Sequence, residues 1–422
     1  METSTQIPIS QWIKVTKDNL DVVKNDSNYR RWEITDESLF NIDNKTIFRD
    51  CTHIEKVIVN CNNWPTSDDL EYVIPESMFE NCDSLETIVF LTSQNIKFTR
   101  IAKKAFKKCE KLLFISFGNA DFVSSFGYIR TIEEEAFWGC KKLLILPGMD
   151  LTVDVDIGDK SFYNCLSLSS IDINAPQEKN INLKIGKKAF YGCRSLAYLC
   201  FYNVCIEEIK ESAFDSCYSL KRFDINDKSK ICGIGKRAFS HCNSLTDLLL
   251  ILSESDESNN ISIGKEAFAS CTKLKNVEII INNNNANDET KEAVAKACTH
   301  TIIWGKSAFQ PQAIHSSLET ITIKINCDSS AHEALYFENS TFHSCSKLKN
   351  INIQFLKKEP VACDLWFREF SLYDCNSLLL GGKKVHELFN LGKKPENEPQ
   401  LIQYYDEFTF SIKALESQTG KS

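Results

Sequence analysis

An aromatic residue, a cysteine three places on and a leucine three places after that recur along this chain, and the recurrence decides what it can fold into. The phrase is complete at Phe79-Cys82-Leu85, Phe106-Cys109-Leu112, Phe137-Cys140-Leu143, Phe162-Cys165-Leu168, Phe190-Cys193-Leu196, Phe214-Cys217-Leu220, Phe239-Cys242-Leu245, Phe268-Cys271-Leu274 and Phe342-Cys345-Leu348. Looser copies sit at Phe48-Cys51-Ile54, at Phe309 with Leu318, and at Leu372-Cys375-Leu378. The mean step is about 29 residues, within the range of solenoid repeats. A unit of that length cannot bury an apolar face alone, so stacking of successive units must supply the core.

Each phrase runs on into a segment such as LSSIDI from Leu168, LKRFDI from Leu220 or LKNVEI from Leu274. Apolar residues at the first, fourth and sixth places with polar residues between predict a short strand with one buried face. Ahead of the phrase stands a second motif, IGKKAF at Ile185, IGKRAF at Ile234 and IGKEAF at Ile263, with WGKSAF at Trp304 as a relative. A glycine turn leading into Ala-Phe predicts a tight corner followed by a short helix or 3-10 turn. The expected fold is therefore an α/β solenoid of about twelve coils, with a parallel β-sheet on one face and short helices or 3-10 turns on the other.

The combined signature, I-G-x-x-A-F-x-x-C-x-x-L-x-x-I-x-I, resembles the BspA-like class of leucine-rich repeat proteins over about residues 40 to 385. That resemblance implies a repeat solenoid used in protein binding or adhesion, with no enzymatic activity. The chain departs from the common pattern in two respects. The proline after the strand survives only at Pro147, and unit length varies.

The chain's 422 residues fit a single repeat array as well as several globular domains, because a solenoid grows in one dimension. Its formal charge of −8 counts against nucleic acid, which calls for a basic stripe. The first fifteen residues show neither a basic start nor an apolar run of signal-peptide length, and no stretch reaches the 18 residues of a membrane span. Eleven of the eighteen cysteines occupy the repeat position, where a small buried hydrophobe is wanted. Reduced thiols and a cytoplasmic chain are the expectation, with the cell surface reached by unconventional export as the alternative.

Residues 1–45 lack the phrase but carry Trp12, Tyr29, Trp32, Leu39 and Phe40, and read as an N-terminal cap; residues 46–380 are the solenoid; residues 381–422 read as a C-terminal cap and tail. An asparagine run and a helix-forming stretch at about 282–300 lengthen one unit, and ESDESNN at 254–260 reads as a solvated loop.

Letter matches to chemical motifs dissolve into the repeat. Gly233, Gly235 and Ala238 fit a dinucleotide fingerprint but occupy the IGKKAF register. Gly305-Lys306-Ser307 lacks the earlier glycine of a phosphate loop, His300 standing in its place. His343 with Cys345 is a zinc pair only on paper, since histidine there faces solvent and cysteine faces the core. No catalytic residue, cofactor or metal is expected. The positive signal lies on the sheet, where the third and fifth strand residues project outward. Those columns hold Phe114, Ile145, Tyr198 and Leu249 as apolar side chains, and Asp172, Arg222, Asp224, Asp247 and Glu278 as charges. Aromatic residues beside charge predict a surface for a protein or peptide partner; the main alternative function is a cell-surface adhesin or antigen.

Overall fold

The computed structural model describes residues 12–40, 46–66, 70–92, 96–118, 128–253, 260–282, 300–311, 316–326, 333–356, 363–368, 372, 375, 377–380, 383–384 and 407–411. Nearly all of the acidic loop at 254–260, the insertion at 282–300 and the C-terminal segment lies outside these residues. The fold is a parallel-sheet solenoid of about nine turns with almost no helix. The count is slightly below the twelve units read from the sequence, and no strand follows Leu143. The chain divides into two compact units, Met1–Leu196 and Ala197–Ser422.

In the first unit, strands Trp12–Val15, Arg31–Ile34, Lys56–Asn60, Thr87–Leu91 and Phe114–Phe117 pair in that order, all parallel. The first two come from the segment without repeat phrases. A second parallel row, Glu71–Ile74, Lys97–Ile101, Thr131–Ile132, Val155–Ile157 and Ile181–Ile185, precedes the turns of its coils. The second unit repeats the arrangement. Tyr198–Tyr202 pairs with Arg222–Ile225, and Asp247–Leu252, Asn276–Asn282, Thr320–Asn326 and Asn350–Phe355 form a continuous ladder. Its other row runs Gly233–Ile234, Asn260–Ile263, His300–Trp304, Glu333–Phe337 and Cys363–Arg368, and the antiparallel strand Glu407–Ser411 covers the last edge. An edge strand left open is a template for unwanted pairing, and this strand occupies it.

The first, fourth and sixth places of the repeat strands are buried as expected in, for example, Leu168, Ile171 and Ile173, or Leu274, Val277 and Ile279, while Ile351, at the fourth place near the end of the array, is half-buried. Behind them the repeat phenylalanines stack ring on ring. In the first unit Phe48, Phe79, Phe106, Phe137, Phe162 and Phe190 follow at centroid steps of 5.1 to 5.4 Å. In the second, Phe214, Phe239, Phe268, Phe309 and Phe342 follow at 5.3 to 5.5 Å.

The expected short helices are absent from the repeats among the described residues. The described helical segments are Leu20–Asn25 and the 3-10 turn Glu37–Phe40, both ahead of the first phrase. The turn flank does not splay: its phenylalanines step at 5.1 to 5.5 Å, close to the strand spacing of about 4.8 Å, which leaves no room for an α-helix about 10 Å across in each coil. The chain resolves this with alternating backbone handedness. Residues just before the alanine and just before the cysteine take positive φ: 58° at Lys104, 61° at Lys108, 53° at Lys160 and 58° at Asn164, and likewise in later coils at Arg237 and His241. One N–H then closes a turn within its coil, as from Cys109 to the Phe106 carbonyl, 3.1 Å. The next reaches the following coil, as from Phe106 to the Ala136 carbonyl, 2.8 Å. The turn flank is thus a third hydrogen-bonded ladder.

The same geometry explains the choice of cysteine. In coil after coil the thiol donates to the phenylalanine carbonyl of the preceding coil: Cys109 to Phe79 at 3.0 Å, Cys140 to Phe106 at 3.1 Å, Cys193 to Phe162 at 3.2 Å and Cys271 to Phe239 at 3.1 Å. A side chain of alanine or valine would fill space and leave that carbonyl one partner fewer. The repeat cysteines among the described residues are free thiols, and all are buried.

Not every coil keeps the alanine before its phenylalanine. Ser161 takes the place of Ala105, Ala136 and Ala189, is fully buried, and its hydroxyl has no partner. Thr341, at the equivalent place, donates to the Glu338 carbonyl at 2.6 Å. A buried hydroxyl without a partner costs about 1–3 kcal/mol. Ser161→Ala is therefore expected to raise stability by about 1–2 kcal/mol in a urea melt; a loss would show that the hydroxyl is hydrogen-bonded in solution.

Candidate protein-binding surfaces

Strand register decides which outward side chains meet. In the second unit Tyr198 lies opposite Arg222 and Cys200 opposite Asp224. Tyr198 is 52% exposed, and the Arg222 guanidinium is held by Asp224, Nε to Oδ1 2.7 Å. Tyr202 stands further along the same strand, its hydroxyl held protonated to higher pH first by a hydrogen bond with Cys200. The next column runs Asp247, Asn276, Thr320, Asn350, and its neighbour Leu249, Glu278, Thr322, Asn352. Asp247 accepts from the Asn276 amide at 2.7 Å, and Glu278 pairs with Lys324 at 2.5 Å. Two of the expected acids, Asp224 and Glu278, are therefore already neutralised within the sheet.

In the first unit Phe114 heads an outward column with Thr87, Lys56, Arg31 and the exposed Trp12. Its ring is half-buried. Asp172 projects from strand Ser170–Asn174 and is exposed. Ile145 is also exposed, yet it is not on the sheet: the chain bends there and forms no strand. Pro147, which cannot donate to a ladder, and Gly148 follow at the places where the strand would continue. The outward column is broken at that coil.

The residues of the dismissed motifs have structural duties. A Cβ at Gly235 would meet the Glu211 nitrogen at 2.8 Å and the Ile209 carbonyl at 2.9 Å; at Gly305 it would meet the Lys265 nitrogen at 2.5 Å. Those glycines exist because neighbouring coils touch there. His343 directs Nδ1 at the Ser344 hydroxyl, 3.0 Å, while Cys345 points inward at the Phe309 carbonyl, so the two do not converge on one ion. A cluster that the sequence did not single out, Asp215, Ser240 and His241, places both the serine hydroxyl (2.9 Å) and the carboxylate (3.2 Å) on the same ring nitrogen. A nucleophilic relay needs them on opposite nitrogens. No helix among the described residues is long and apolar enough to cross a membrane.

The profile of the BspA type leucine rich repeat region matches residues 22–113 and 155–293, in six copies. The chain belongs to the BspA-type leucine-rich repeat family. Among solved structures it is similar to the T. pallidum leucine rich repeat protein, at 23% identity and a TM-score of 0.31 over 45% of this chain and 77% of that one. A Bacteroides ovatus leucine-rich repeat protein is 21% identical, with a TM-score of 0.30 over 74% and 78%. A leucine rich cell surface protein from Faecalibacterium prausnitzii is 18% identical, with a TM-score of 0.29 over 78% and 84%. No curated protein matches the sequence. For a BspA-type solenoid the surfaces to consider are the outward sheet columns and the turn flank, since every coil adds one residue row to each.

Proposed function

We propose that this BspA-type chain is a non-catalytic interaction module that engages a protein or peptide through the outward columns of its sheet. The Tyr198 and Arg222 pair carries the reading. The two side chains lie in register on adjacent strands, the tyrosine open to solvent and the guanidinium pre-oriented by Asp224. Tyrosine and arginine dominate binding hot spots, and a side chain already fixed loses less entropy on binding. Asp172 and Asp247 add polar contacts of the kind found at an interface rim.

The test uses partners recovered by affinity capture and then purified. Tyr198→Ala with Arg222→Ala is expected to weaken binding by at least ~2 kcal/mol while the melting transition stays in place, because neither side chain enters the core. Lys187→Ala with Lys188→Ala, on the turn flank, should leave that affinity unchanged. Loss in the turn variant with retention in the sheet variant would sink the assignment.

A cell-surface adhesin is the second reading, because the Faecalibacterium prausnitzii relative is described as a cell surface protein and a parallel-sheet face serves either placement. The cytoplasmic expectation rests on the sequence alone. Fractionation of cells combined with counting of free thiols separates the two.

A further inference from the structure

On the turn flank of the first unit, the residue after each repeat phenylalanine changes from charged to aromatic over three consecutive coils: Trp138, Tyr163 and Tyr191. All three are half-exposed, and they stack face to face at 5.8 Å and 4.8 Å with interplanar angles of 14° and 6°. Lysines close on both ends of the stack. The ammonium groups of Lys107 and Lys108 sit 5.1 and 5.9 Å from the Trp138 ring, and that of Lys188 sits 6.0 Å from Tyr191. Backbone bonds hold the rows together, from Lys108 to the Trp138 carbonyl, from Gly139 to Tyr163 and from Asn164 to Tyr191, at 2.7 to 2.8 Å.

Charge separates this flank from the rest of the molecule. Residues 103–111, 133–142, 158–167 and 186–195 hold eleven Lys and Arg against five Asp and Glu, in a chain whose formal charge is −8. The acids are largely consumed internally. Glu135 is approached by Lys107 at 2.7 Å and Lys160 at 3.6 Å, Glu134 by Lys103 at 2.6 Å and Glu110 by Lys141 at 2.7 Å. Lys108, Lys111, Lys142, Lys187 and Arg194 remain exposed along the same surface.

We propose that this aromatic and lysine ladder is a second interaction surface, and that it takes an acidic peptide segment. Rings stacked on one another turn their edges outward. An aromatic edge carries the positive part of the quadrupole, so it attracts carboxylates and repels cations. The hydroxyls of Tyr163 and Tyr191 add hydrogen-bond donors. A carbohydrate would need ring faces to stack on, and here the faces are used against each other. The surface is independent of the Tyr198 and Arg222 face, and the two readings fail separately.

The probe is a fluorescein-labelled peptide of twelve glutamates and glycines in alternation, titrated by anisotropy against the full chain, with an alternating lysine peptide as control. Binding of the glutamate peptide alone is expected, with tryptophan fluorescence changing in step and affinity falling at least tenfold between 50 and 300 mM salt, of the order screening gives. Lys108→Glu with Lys188→Glu should weaken binding at least tenfold, and Trp138→Leu should remove the fluorescence response, each variant melting as the parent does. Tyr198→Ala with Arg222→Ala should bind the peptide normally. No binding at 50 mM salt, binding indifferent to the charge reversal, or preference for a sulfated polysaccharide or single-stranded RNA over the peptide would each overturn the proposal.

Discussion

Phe162→Ala is expected to lower stability by about 3–5 kcal/mol, the usual cost of truncating a buried phenylalanine. The ring has no exposed surface and is sandwiched between Phe137 and Phe190 at 5.1 Å on each side, nearly parallel to both. Its loss opens a void that Phe137, held in its own stack on Phe106, does not fill. In a solenoid, stability is close to a sum of coil and interface terms, and one substitution damages two interfaces at once. Phe309→Ala makes the sharper comparison. Its unit has lost the cysteine and the regular spacing, which from sequence predicts a weaker site. The ring nevertheless stacks between Phe268 and Phe342 at 5.3 and 5.5 Å and meets Trp304 at 5.5 Å. A loss comparable to that of Phe162→Ala is therefore expected in denaturant melts. A loss below about 1 kcal/mol at Phe162 would show that the stack relaxes into the void, contrary to the usual partial relaxation of cores.

The inward face was legible because one residue type at one spacing can do little else: leucine, β-branched residues and phenylalanine at places one, four and six are buried in strand after strand, as at Leu85, Ile88 and Phe90 or Leu318, Ile321 and Ile323. The second strand of each coil was harder. Ile181, Leu183 and Ile185 are buried and Asn182 and Lys184 exposed, a clean alternation, but the counterpart Thr131–Ile132 has two residues and no pattern to read. The spacing of Ala-Phe-x-x-Cys imitates a helical turn, and only the coil spacing rules the helix out. On the candidate face, the meeting of Tyr198 and Arg222 follows from aligning the repeats. The pairing of Glu278 with Lys324, 46 residues on, does not, because the two belong to different outward columns on strands separated by the lengthened unit. The aromatic ladder lay in a column that the sequence does expose, the place after each phenylalanine. Its meaning depends on the ring-to-ring distance, which only the turn geometry sets.

Between pH 9 and pH 10.5 the protein is expected to lose stability steeply. The cause is the buried thiol column. Burial pushes Cys193 and Cys345 from an ordinary value of 9.0 up to about 12, and Cys51 up to about 11. It moves Cys82, Cys109, Cys140, Cys165 and Cys242 in the same direction. Below pH 9 the thiols are protonated in folded and unfolded chain alike, and the stability they support is fully present. Above it the unfolded chain releases protons that the folded chain retains, so stability falls with rising pH until the folded values are reached. Each thiol costs about 1.4 kcal/mol per pH unit in that window. Cys51, Cys193 and Cys345 together amount to on the order of 4 kcal/mol at pH 10, a large part of the stability of an ordinary domain, and the other five act in the same direction. The measurement is a urea melt at half-unit steps from pH 7.5 to 10.5, under strong reductant, with thiolate absorbance followed at 240 nm. Unfolding and thiolate appearance should coincide, and replacing Cys109, Cys140 and Cys165 by alanine should lower the slope above pH 9 by the share of three thiols. A stability flat through pH 10.5, or thiolates appearing well before the fold is lost, would mean that water reaches the column and that the thiols are not the sealed core the structure makes them.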